Sequence, residues 1–175
     1  MRNVAFIAVG FLLLLVQANL YRVLGPLGLH GATPSLVLPL LIFLGVHEPS
    51  MLRGAGLCFV LGYLLDVMAS APPGLFTFVS VVLWLVSRVA GVRLTTQTLL
   101  TRMSLAFGFA VVEAFIVLTL LAIFGSDTRK PLEMLSLVLP RAASTAVFAP
   151  FVFSLAQRLH QAAVPGQAAA EATRQ

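Results

Sequence analysis

Six long apolar runs, separated by proline, glycine and isolated charges, make up nearly the whole chain. A helix that crosses hydrocarbon needs roughly 20 apolar residues at about 1.5 Å rise each, and the runs are read against that length. The first, residues 4–24, ends at the turn pair Gly25-Pro26. The second opens at Thr33-Pro34, an N-cap residue followed by the residue favoured at the first helical position, and stops near His47. It is short, and Pro39 within it predicts a kink or an unpaired carbonyl, hence a tilted or partly re-entrant helix. After the break His47-Glu48-Pro49-Ser50, the third run covers residues 51–71. Pro72-Pro73-Gly74 turns the chain into a fourth, residues 75–90. A polar connection, 93–98, leads to the fifth, residues 99–124, and a loop carrying Asp127, Arg129 and Lys130 follows. The last stretch, 132–159, is too long for one untilted span, and Pro140 divides it. Either 132–139 lies along the interface and 140–159 spans, or one kinked helix covers both.

This pattern predicts an all-α polytopic membrane protein, a six-helix bundle over residues 1–160 with a disordered cytoplasmic tail over 161–175. Composition agrees. Of 175 residues, 59% are hydrophobic and only 10% are charged, against about 25% charged in soluble domains. A mean hydropathy of +1.02 leaves too little polar surface for a water-soluble fold of this size. Arg2 and the run after it resemble a secretory leader, but no small-residue cleavage site follows and the run is long enough to span, so it is read as a retained helix. The net charge of +5 comes from basic residues placed singly between apolar runs, with no clustered face for nucleic acid.

Those basic residues set an orientation. With the amino terminus inside, Arg2, Arg53, Arg88, Arg93, Arg102, Arg158 and Arg174 fall on the inner side, and Arg22, Arg129 and Lys130 on the outer. The positive-inside rule therefore favours both termini in the cytoplasm.

A few polar groups lie within the apolar runs. Asp66 sits one helical turn after Gly62, on the same face, about 7 Å from the outer end of its helix by five residues of rise. It reads as a site for a partner or ligand, as a lock between helix and turn, or as an acid that reaches outer water or caps the Pro72-Pro73-Gly74 turn. Glu113 is deeper and needs to face the interior, be protonated or pair. Arg141 is its natural partner, although a span starting at Pro140 would bring Arg141 closer to Asp66. Asp66, Glu113 and Arg141 are accordingly expected as one buried polar cluster in the outer half. Small residues mark close helix contacts: Gly54, Gly56 and Gly62, then Ala106, Ala110 and Ala114, then Ala142, Ala146 and Ala149. They serve internal packing or form a groove for another protein's helix. Trp84 and Tyr63 fill the fold or face lipid.

Catalytic patterns are missing from the sequence. His30, His47 and His160 are far apart in sequence and none belongs to H-E-x-x-H; no G-x-S-x-G elbow or phosphate loop is present. The lone Cys58 excludes an intrachain disulfide and a thiolate metal cluster. The expectation is a protein that is not an enzyme and needs no cofactor or metal.

The segment from Arg53 to Phe78 reads R-G-A-G-L-C-F-V-L-G-Y-L-L-D-V-M-A-S-A-P-P-G-L-F-T-F. A glycine, three residues, an aspartate, a small-residue gap, Pro-Gly-Leu and an apolar helix resemble the rod-shape-determining MreD family. Gly62, Asp66, Pro73, Gly74 and Leu75 match residue by residue; Leu139-Pro140-Arg141 at the last span and the hydropathy pattern fit as well. The resemblance implies a bundle similar to the substrate-binding subunits of energy-coupling-factor transporters. It also implies a non-catalytic inner-membrane role in bacterial cell elongation and peptidoglycan synthesis. Its partners would be the membrane helix of MreC, and through it a penicillin-binding protein, a RodA-type polymerase and MreB. The alternative is a substrate-capture subunit of a vitamin-type transporter, which requires a hydrated outer pocket with convergent polar groups.

Overall fold

The computed structural model describes residues 2–24, 33–48, 50–69, 73–90, 98–124 and 131–163. Among them the secondary structure is six helices: α1 (Arg2–Leu24), α2 (Val37–His47), α3 (Met51–Ala69), α4 (Leu75–Val89), α5 (Leu99–Phe124) and α6 (Pro131–Ala163). The expected turn pair Gly25-Pro26, Pro49 and Pro72, the connection at Arg93, the loop with Asp127, Arg129 and Lys130, His30, and the tail from residue 164 lie outside the described residues.

Four helices, α1, α3, α5 and α6, are long and apolar enough to cross a membrane. They are apolar on nearly every side, so large side chains remain bare: Leu52, Val67, Phe115, Val147 and Phe151 are each more than half exposed. Apolar surface of that extent is at home against hydrocarbon. The other two helices are shorter. At 11 and 15 residues, α2 and α4 rise only about 16 and 22 Å, less than the ~30 Å of a hydrocarbon core.

The short α2 is the axis of the bundle. It touches all five other helices, and every residue from Val37 to Gly45 is buried. Its apolar side chains therefore meet protein on all sides. Around it, α3 pairs closely with α4, and α5 with α6, while α1 lies against α3. Gln17 near the end of α1 reaches the start of α2, and the ends of α2 and α6 meet through His47 and His160. The helices thus alternate in direction.

One sequence expectation changes here, and of the two alternatives for the last stretch the single helix holds. Helix α2 starts at Val37, with Leu36 as N-cap, instead of at Thr33-Pro34. Pro39 is consequently the third residue of the helix, where a backbone N–H has no partner within the helix anyway, so it has no reason to break or kink α2. The final stretch is one continuous helix with Pro140 and Pro150 inside it, begun at Pro131 and extended to Ala163, past the expected boundary at 160. The interfacial segment proposed for 132–139 belongs to it. Elsewhere α5 has the expected bounds, and α3 and α4 begin where their runs begin.

Glycine sets the close approach of α3 and α4. A Cβ on Gly62 would lie 2.7 Å from the Thr77 Cα and 2.9 Å from the Phe76 carbonyl oxygen of α4, both backbone atoms that cannot step aside. On Gly54 it would meet the indole of Trp84 at 2.8 Å, while at Gly56 nothing lies within 4 Å. The three glycines of α3 therefore divide: Gly54 and Gly62 admit α4, and Gly56 faces outward. Gly62→Ala should destabilise the detergent-solubilised protein by about 1–3 kcal/mol through overpacking, seen as a lower midpoint of thermal unfolding. Gly56→Ala should leave the midpoint in place or raise it slightly. Equal midpoints for the two variants would contradict the close approach.

Candidate functional site: capped short helices and an ion pair

Helix starts leave backbone N–H groups without intrahelical acceptors, and a start held at depth cannot leave them to water. At α4 the acceptor is Asp66 of α3. Its Oδ1 accepts from the Phe76 N–H at 2.7 Å, and its Oδ2 accepts from the Gly74 and Thr77 N–H groups at 3.1 and 3.0 Å and from the Thr77 hydroxyl at 2.5 Å. Asp66 is only 5% exposed. Its charge also lies at the positive end of the α4 dipole. Gly62 and Asp66 act together: the missing side chain one turn earlier brings α4 close enough for a short carboxylate to reach its first turn. Gly74, the N-cap of α4, holds φ 93°, a left-handed conformation that glycine adopts without strain. Pro73 precedes it at the surface, and Leu75 folds half-buried against the core.

At α2 the caps come from two other helices. Leu36, its N-cap residue, has no side chain able to serve. Its N–H donates instead to Gln17 Oε1 of α1 at 2.9 Å, and the Ser35 N–H donates to Thr145 Oγ1 of α6 at 2.9 Å. Thr145 in turn donates to the Arg141 carbonyl at 2.8 Å. The Ser35 hydroxyl points to Glu113 Oε1 at 3.4 Å, and Glu113 pairs with the Arg141 guanidinium at 3.9 Å.

The expected cluster is therefore divided. Glu113 and Arg141 meet, but no hydrogen bond or ion pair joins either to Asp66, whose carboxylate is occupied by α4. The reason is the early start of α6. With the helix begun at Pro131, Arg141 lies well inside it and is carried to the depth of Glu113 instead of to the helix end. Of the small residues on α5 and α6, Ala106, Ala110, Ala142, Ala146 and Ala149 are buried and Ala114 is half-buried. These serve packing of the two helices on each other.

Two adjoining cavities flank Arg141. One, of about 290 Å³, lies between α5 and α6 and is lined mostly by apolar side chains, with Glu113 and Arg141 at one end. The other, of about 470 Å³, is bounded by α1, α3 and α4 and holds Gln17, Arg22 and Arg141. Thr33, Phe76 and Arg141 line both.

The chain matches no family model, no curated protein and no solved structure.

Sequence reading missed Gln17, Ser35, Thr77 and Thr145, whose partners are on other helices. A polar residue inside an apolar run is the available signal, and Gln17 and Thr145 both show it. It also separated histidines that meet: His47 stacks on Phe43 at 4.1 Å between ring centroids and lies 5.9 Å from His160. At that end of the bundle Arg88 donates to the Glu48 carbonyl at 2.8 Å and lies over Trp84, which is buried and so fills the fold instead of facing lipid. Tyr63 is 57% exposed. No group of three or more His, Cys, Asp or Glu able to hold a metal occurs among the described residues.

Asp66→Ala leaves several N–H groups at the start of α4 without their acceptor and should cost about 2–4 kcal/mol. Thermal unfolding of the purified variant checks this, and a loss below about 0.5 kcal/mol contradicts the capping role. Arg141→Gln strands the buried Glu113 and should lower the unfolding midpoint, whereas Glu113→Gln with Arg141→Gln should restore most of it. Additive losses in the double variant would show that the two side chains are not coupled.

Proposed function

We propose that the chain is a non-catalytic membrane scaffold of MreD type, crossing the bacterial inner membrane with both termini in the cytoplasm and serving cell elongation by seating the membrane helix of MreC. The observation that carries the reading is how the motif residues are used. Gly62, Asp66 and Gly74 close on one another through α4, so the charge in the motif holds a shape and does not project toward a ligand. An invariant outer form is what a scaffold requires. Rod-shape complexes coordinate glycan synthesis across the membrane, and a rigid bundle beside a single-span partner is a physical means of doing so.

The seat for that partner is the outward face of α3. Gly56, Phe59, Val60, Tyr63 and Val67 follow one another at helical spacing on one side. Phe59, Tyr63 and Val67 are more than half exposed, and Gly56 has open space where a side chain would be. A small residue flanked by bulky apolar ones admits a second helix at close range. A penicillin-binding protein, a RodA-type polymerase and MreB would be reached through MreC.

Capture of a water-soluble small molecule is the second reading, favoured by the cavity that holds Arg22 and Arg141. It calls for several convergent polar groups, and Gln17 is already occupied by the α2 cap. A small ligand retained in stoichiometric amount by the purified protein would support it over the scaffold.

Photo-crosslinkers placed at Phe59 and Tyr63 in cells should capture a single-span protein, with MreC as the expected product. Gly56→Leu should abolish the capture and disturb rod shape while leaving the unfolding midpoint unchanged. Capture of lipid alone from both positions would remove the α3 seat.

A further inference from the structure

Arg22 and Arg141 border the same cavity although they lie on α1 and α6. Arg22 is exposed at the last turn of α1 and has no acidic partner among the described residues. Arg141 contacts Glu113 through a single nitrogen at 3.9 Å and keeps a side chain 40% exposed. A guanidinium has five N–H donors in a planar fork suited to phosphate and carboxylate, so most of those on Arg141 remain for another acceptor. The two cavities together hold two arginines and one carboxylate, an excess of one positive charge.

The neighbouring cavity has the opposite character. Beyond Arg141 and Glu113 it runs between α5 and α6 along Ala114, Val117, Leu121 and Val138, apolar side chains throughout. Phe76 and Thr33 border both spaces. One end of the combined site is cationic and carries hydroxyl and guanidinium donors, and the other is an apolar cleft whose helices bear exposed side chains such as Phe115 and Val147. A soluble anion would use only the first half. A neutral chain would use only the second.

We propose that this double cavity is a binding site for an anionic amphiphile, a membrane lipid whose phosphate sits between Arg22 and Arg141 and whose hydrocarbon chain enters the cleft between α5 and α6. The site needs no assumption about the scaffold role. Its lipid would bridge α1 to the α5–α6 pair beside Phe76, the residue whose N–H the Asp66 carboxylate accepts.

The test uses the full chain purified in non-ionic detergent, with bound species counted by native mass spectrometry during titration with phosphatidylglycerol, phosphatidylcholine or inorganic phosphate. Phosphatidylglycerol should bind one to one, at least tenfold more tightly than either of the others. Arg22→Gln, an exposed and unpaired position where folding is not at stake, should weaken it about tenfold, the equivalent of one charge-assisted hydrogen bond. Ala114→Phe should obstruct the cleft and weaken the lipid while leaving any binding of inorganic phosphate unchanged. Phosphatidylcholine retained as well as phosphatidylglycerol would overturn the proposal. So would inorganic phosphate bound as tightly as the lipid, which would mean an anion site with no use for the chain, or an Arg22→Gln variant that binds the lipid normally.

Discussion

A helix too short to reach water at both ends must find acceptors for its first N–H groups inside the protein. In this bundle two helices face that requirement, and much of the polar inventory goes to meeting it. Asp66 serves the start of α4; Gln17 and Thr145 serve the start of α2. Each acceptor comes from one of the longer helices. The long elements thereby fix the depth and direction of the short ones, and hydrogen bonds joining different helices do what loop sequences do in soluble folds.

The same requirement explains the distribution of small residues. A carboxylate as short as aspartate reaches the first turn of α4 only because Gly62 lets the two backbones nearly touch. Widening that gap by one methyl group would stretch four bonds together. On the far side of the bundle, alanines bring α5 and α6 together over part of their length, and where their spacing opens toward Val117 and Leu121 a cleft remains. Closely packed and open regions thus follow from residue size. The rigid motif at α3–α4 supports a scaffold reading, and the open side supports a lipid site. The exposed α3 residues Phe59, Tyr63 and Val67 are not among those lining the cavities, so the two can coexist.

Much of this was legible beforehand, for identifiable reasons. Residues 99–124 form an uninterrupted apolar run between polar stretches, and α5 has those bounds. Gly62 and Asp66 at a spacing of four, followed by Pro73 and Gly74, contain the α4 cap in local sequence, since donor and acceptor are only eight to eleven residues apart. The start of α2 was misplaced because Thr33-Pro34 has the local form of a cap, whereas the real acceptors lie 19 and 110 residues away. The grouping of Asp66 with Glu113 and Arg141 depends on where α6 begins: a start at Pro140 brings Arg141 toward Asp66, whereas the helix begun at Pro131 sets it beside Glu113. The His47–His160 contact and both cavities depend wholly on tertiary arrangement, which no local pattern encodes.

Residue-resolved hydrogen exchange on the native protein in lipid tests the capping constraint most directly. The amides of Ser35, Leu36, Phe76 and Thr77 should exchange as slowly as those in the middle of their helices, unlike the first amides of an ordinary water-exposed helix. Exchange at these four positions at the rate of open chain would mean that the short helices begin uncapped, and the architectural account would be wrong.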